Sequence, residues 1–254
     1  MKRALPLVFA ALLATGCLTP PPGPDGVVDR DPYETQNRLF FAFNDGLDRI
    51  ALEPLGKLWR FLTPRFVRTA FDNAFTNMRY PIRAVSCMGQ GRATHAGLET
   101  IRFLVNSTLG VVGLWDASTQ LFGIPYYDED SGQMLAVWGI PSGPYWMIPL
   151  LGPSTPRDTV GYILDGLMNL TPSYVAPVAW LNGRAIAVPT IDRAREASLD
   201  YYTFVREAYL QRRDAQIEEK GALRRTEPGT EPEAPAAAEP EPEAPSDDFY
   251  EIEE

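Results

Sequence analysis

The sequence predicts an all-α body, and three observations carry that prediction. Helix-start signals recur along the chain, each followed by apolar residues at a period of 3.6. The body between the two termini is close to electrically neutral. Its longest uncharged run is interrupted by proline and glycine, so it cannot be one straight apolar helix.

The N-terminus has the layout of an export signal over residues 1–16. Lys2 and Arg3 form a charged start, Leu5 to Ala14 an apolar stretch, and Ala14-Thr15-Gly16-Cys17 ends it with small residues before a cysteine. This resembles a bacterial lipobox, which makes Cys17 the lipidated first residue of the mature chain; the alternative is an ordinary signal peptide with an incidental cysteine. Leu18 after the cysteine favours the outer membrane by the same resemblance. Residues 17–30 are a Pro/Gly linker, and a helical domain is expected over 31–225. Residues 226–254 repeat Glu-Pro and Ala-Pro, a composition without a core. The formal charge of −10 lies in that tail, where eleven acids from Glu227 onward meet no base, leaving the rest of the chain near +1. No basic patch of the density that nucleic acid requires is present.

Asp31-Pro32-Tyr33-Glu34 reads as an N-cap acid, Pro at the first helical position and Glu at the third. Apolar residues follow at Leu39, Phe40, Phe43, Leu47 and Ile50, facing either a bundle core or lipid. Thr63-Pro64 starts a second helix with a stripe from Phe66 to Met78, which Pro81 kinks or ends. A third helix is expected from Thr94 to Leu109, with His95 capping or decorating its start. Asp116 to Asp130 reads as a hairpin between helices whose acids are solvated. Ser154-Thr155-Pro156-Arg157-Asp158 starts another helix, and from Thr190 the chain turns charged and helical.

Ser131 to Pro156 is twenty-six residues without a charge. Pro141, Pro144, Pro149 and Pro153, with Gly139, Gly143 and Gly152, break any helix drawn through it, so it is either wrapped by the rest of the protein or lines a cavity. Between Asp158 and Asp192 only Asp165 and Arg184 are charged. An ionisable residue in such company needs a partner, and Arg184 either pairs with Asp165 or meets a phosphate.

Catalytic readings find little support. Ser142 in Gly139-Ile140-Pro141-Ser142-Gly143 sits one place too late for a nucleophile elbow, and one histidine with one internal cysteine gives no metal set. Phosphate-binding glycine motifs are missing, so no enzyme activity and no cofactor are expected. Cys87 is read as a small buried hydrophobe.

Several motifs together carry a resemblance. They are Asp31-Pro32-Tyr33-Glu34 with Asn37-Arg38 and Phe43-Asn44; Asn73 and Asn77 with Pro81; Arg102 to Gly110; Asp128 to Gln133; Trp138-Gly139; Gly143-Pro144-Tyr145; Pro149 to Thr155 with Arg157-Asp158; and Arg206-Glu207-Ala208-Tyr209. Over Asp31 to Gln211 the chain resembles the MlaA (VacJ) family of outer membrane lipoproteins. The resemblance implies a ring-like bundle of amphipathic helices lying in the periplasmic leaflet around a central channel. It also implies that phospholipid misplaced in the outer leaflet is removed through that channel and handed to a periplasmic carrier, with porin trimers as membrane partners. On this reading Arg184 and Asp165 line the lipid channel, and Gly110, Gly113, Gly139 and Gly143 act as gating hinges. The rival readings are an envelope scaffold that organises porins and, more remotely, a lipid hydrolase.

Overall fold

A computed structural model describes residues 29–218. The export signal, Cys17, the linker up to residue 28 and the acidic tail lie outside the described residues. Among the described residues ten α-helices and one hairpin follow in order: α1 (Glu34–Leu47), a π-helical turn (Asp48–Leu52), α2 (Glu53–Leu62), α3 (Arg65–Met78), α4 (Tyr80–Gly89), α5 (Ala93–Thr108), α6 (Ala117–Phe122), α7 (Ser131–Val137), β1 (Trp146–Ile148), β2 (Gly152–Ser154), α8 (Pro156–Met168), α9 (Ala176–Ala197) and α10 (Tyr201–Glu218). The helical expectation stands, with a short antiparallel hairpin added in which Met147 opposes Pro153.

Packing contacts close a circuit. α1 runs through the π turn into α2, α2 lies on α9, α9 on α3, α3 on α4, α4 on α7, α7 on α8 and α10, α10 on β2, and β1 on α1. Small residues set the tightest approaches. Gly56 of α2 lies against Ala185 of α9, and a Cβ on Gly161 of α8 would stand 2.4 Å from the Gly132 amide of α7. Pro189 sits inside α9 and removes the amide that would bond the Ala185 carbonyl. Arg60 of α2 replaces it, donating from Nη1 to that oxygen at 3.1 Å, so the helix continues through its proline.

Asn37 and Asn44 stand two turns apart on one face of α1 and bond the backbone of the hairpin. Asn37 donates to the Tyr145 carbonyl (3.1 Å) and accepts from the Met147 amide (2.8 Å). Asn44 donates to the Ile148 carbonyl (3.0 Å) and accepts from the Leu150 amide (2.7 Å). Two side-chain amides thus take the part of a neighbouring strand. The uncharged run is therefore wrapped in part and lines a cavity in part: α7 is buried along its whole length, and Tyr145 and Met147 join Tyr202 and Leu210 in the core, while Leu150 and Leu151 at the hairpin tip are exposed to a cleft.

Three sequence expectations are corrected. Asp31 is not a cap, since α1 begins at Glu34; its carboxylate is buried, accepting from Asn37, Tyr202 and Arg206. Residues 116–130 are not a hairpin but α6 followed by extended chain. Only Asp128 of its last three acids is solvated, because Glu129 bonds Gln90 and Arg92, and Asp130 caps α7 and pairs with Arg213. The charged C-terminal stretch is split at Ser198 to Asp200, its first part belonging to the long α9.

The described residues combine buried ion pairs with many exposed large apolar side chains. Glu99 is fully buried and Arg83 nearly so, joined by a 2.6 Å ion pair between α4 and α5. Meanwhile Phe61 is 86% exposed and Leu167 79%, with Ile50, Leu58, Phe66 and Tyr174 also outward. Soluble proteins bury such charges when they are paired, as these are, but rarely present so much large apolar surface. Among the described residues no helix is long and apolar enough to cross a membrane.

Candidate functional site

The hairpin divides two clefts. The wider, of about 570 Å³, lies between α1, the π turn, α9 and α10. Its charged end is built on the π turn, where one residue more than an α-helical turn contains brings Asp48 to face α9. Arg184 donates to Asp48 through Nε and Nη2, both at 2.6 Å, and Arg195 reaches Asp45, Asp48 and Glu53 at 2.8, 3.2 and 2.9 Å. Burial works against the Asp48 charge, but bonds and charges from Arg184 and Arg195 outweigh it and hold the carboxyl below its usual range. Trp180, Leu150, Leu151 and Ile191 make the rest of this cleft apolar.

The narrower cleft, of about 230 Å³, lies on the other side of the hairpin tip between α8, α10 and the α3–α4 junction. Arg213 of α10 spans it, meeting Asp130 at 2.5 Å and Asp158 at 2.7 Å, while Tyr209 donates to Asp158 at 2.6 Å. Burial again opposes ionisation, yet the charges of Arg213 and Arg157 hold Asp158 at about 2. Asp165 is different. It accepts from the Ser131 amide at 3.1 Å and lacks an ion pair among the described residues, so burial pushes its carboxyl up.

Arg184 and Asp165 therefore stand in different clefts, and the partner of Arg184 is Asp48. Gly110 and Gly113 frame a tight turn after α5 in which Val111 and Val112 hold φ of 52° and 59°, a strained conformation for β-branched residues. Gly110 is closely packed there, since a Cβ would come 2.2 Å from the Trp115 carbonyl. Gly139 and Gly143 frame the link from α7 to β1. His95 packs edge-on against Tyr127, and Cys87 is buried. Among the described residues no group of three or more His, Cys, Asp or Glu could hold a metal ion.

This frame, a helical circuit with buried ion pairs and exposed large apolar side chains, matches a known family. The family model described as MlaA lipoprotein covers residues 29–216. The chain belongs to the MlaA lipoprotein family. A solved MlaA structure, described as the structural basis for maintenance of bacterial outer membrane lipid asymmetry, superposes with a TM-score of 0.66 at 29% identity, covering 74% of this chain and 98% of that one. The intermembrane phospholipid transport system lipoprotein MlaA of Escherichia coli is 29% identical over 222 residues, 84% of this chain and 87% of its own. An uncharacterised protein of Rickettsia felis is 32% identical over 197 residues, 74% of this chain and 78% of its own.

Asp48, Arg195 and Arg213 escape sequence reasoning as site residues, because their partners lie from dozens to well over a hundred positions away. Arg79 also escapes it, standing at the junction of α3 and α4 in line with the arginines of the polar face of α3. The one available signal is that Asp45, Asp48 and Arg195 add charge beside otherwise apolar stripes.

Proposed function

We propose that this chain is an outer membrane lipoprotein that draws phospholipid out of the outer leaflet through an amphipathic passage and passes it to a soluble periplasmic carrier, beside a porin trimer. Cys17 anchors it, and the helical ring lies in the periplasmic leaflet. The observation that carries this reading is the exposed apolar surface: Phe61, Phe66 and Leu167 point outward, where lipid tails bathe them, while the ion pairs of Arg83 with Glu99 and of Arg184 with Asp48 face inward. The names of the relatives support it.

The two clefts suit an amphiphile. In the wider one a charged end lies opposite apolar walls, so a head group and its chains can be accommodated together. Arg184, clamped by Asp48, lines this cleft, and its guanidinium matches the geometry of a phosphate. Asp165 lines the second cleft. The glycine pairs Gly110/Gly113 and Gly139/Gly143 serve as hinges of the segments between α5 and β1. The sequence contains no nucleotide-binding motif, so the movement is passive or is driven by other proteins.

Deletion of the gene is the test. Phospholipid accessible to a phospholipase added outside intact cells rises in the deletion strain and returns to the parental level on complementation. An unchanged level refutes the reading.

A further inference from the structure

The narrow cleft is lined by two charges that have no ion-pair partner among the described residues. Asp130 and Asp158 are matched by Arg213 and Arg157, and that group of four is closed on itself. Arg79, at the α3–α4 junction, and Asp165, on α8, line the same cleft and have no ion-pair partner among the described residues. They feel each other's charge, yet no nitrogen–oxygen approach within 4.0 Å joins them. A cation and a carboxylate that line one cleft without pairing are complementary to a ligand that carries both an anion and a cation.

A volume of about 230 Å³ falls below the range of about 300–1,000 Å³ that takes a whole drug-sized ligand, and suits a head group alone. Leu151, Ile148 and Pro153 on the hairpin side give the attached chains an apolar exit. Guanidinium matches phosphate geometry. A partly buried carboxylate gains most from a primary ammonium, which donates hydrogen bonds as well as charge. A glycerol head group offers that carboxylate hydroxyl hydrogen bonds without charge, and a quaternary ammonium offers charge without a hydrogen bond.

We propose that this cleft is a head-group site for a zwitterionic phosphoethanolamine lipid, with Arg79 taking the phosphate and Asp165 the ammonium. The proposal rests on the phospholipid-transport reading and adds to it a preference among lipids.

The test uses the full-length lipoprotein extracted in detergent and incubated with equimolar phosphatidylethanolamine, phosphatidylcholine and phosphatidylglycerol. After repurification the retained lipids are counted by mass spectrometry. The wild type is expected to enrich phosphatidylethanolamine over each competitor by about threefold to fivefold, the worth of one partly screened charge contact. Asp165→Asn keeps an acceptor for the Ser131 amide and abolishes that enrichment. Arg79→Glu, at an exposed position where the fold is not at stake, lowers retention of all three lipids. Retained lipid that mirrors the mixture in the wild type, enrichment that survives Asp165→Asn, or retention indifferent to Arg79→Glu overturns the proposal and leaves transport standing. A wild type that retains no phospholipid overturns the transport reading as well.

Discussion

Replacing Asn37 by alanine should unpin the hairpin that separates the clefts. The side chain is buried, and it answers two main-chain groups, the Tyr145 carbonyl and the Met147 amide, besides donating to Asp31 at 2.7 Å. Each buried group left unpaired costs about 1–3 kcal/mol, so the pair amounts to about 3 kcal/mol after partial relaxation. For a domain of this size that corresponds to a fall in Tm of about 6–12 °C. Asn44→Ala makes the internal control. It removes the same kind of contact next to the exposed Leu150, where water can take over, and should cost about 0.5–1.5 kcal/mol. Urea unfolding followed by circular dichroism gives both numbers, and amide hydrogen exchange at Met147 locates the damage. Asn37→Asp should be worse than alanine at neutral pH, since it sets a second carboxylate against Asp31, and should recover in acid. If Asn37→Ala and Asn44→Ala cost the same, and the Met147 amide stays protected, the idea that side-chain amides hold this strand is wrong.

Gly161→Ala should cost about 1–3 kcal/mol in the same assay, because its methyl group meets Gly132 backbone atoms at 2.4 and 2.6 Å; Gly166→Ala, with open space around it on the same helix, should be stabilising by about 0.5–1 kcal/mol. Stability should fall as the pH drops from about 4 towards 2. Asp158 is shifted from 3.8 to about 2, so its contribution of about 2 kcal/mol is complete above the unfolded value and disappears as pH falls through the folded one. Unfolding measured across that window should lose part of its slope in Asp158→Asn.

Much of the helical layout is legible where local chemistry decides it. Thr63-Pro64 precedes α3, Pro81 sits in the first turn of α4, and Thr155 caps α8 by accepting from the Asp158 amide. α2 is illegible to a reading that expects apolar stripes to face a core, since Leu55, Leu58, Phe61 and Leu62 point outward. α9 runs through Pro189, which local rules treat as a breaker, because Arg60 supplies the missing donor from another helix. The hairpin offers only three residues per strand, too few for an alternating pattern. At the site, the apolar company of Arg184 and Asp165 marks both as unusual. Their partners are beyond the reach of local rules, for Asp48 is 136 positions from Arg184 and the salt bridge assembles only in three dimensions.

The placement of α10 has a bearing on how the molecule is made. Tyr202 and Arg206 reach back to Asp31 across 171 and 175 positions, and Arg213 serves Asp130 and Asp158. A chain leaving the ribosome N-terminus first has therefore produced every one of those acids long before Arg206 and Arg213 emerge. Until then the circuit stands open, with Asp31 and Asp130 short of their counter-charges and Asp158 answered only by its neighbour Arg157. A nascent chain that stalls short of residue 200 has no shorter stable version to settle into, and the domain is completed in one late step rather than by instalments.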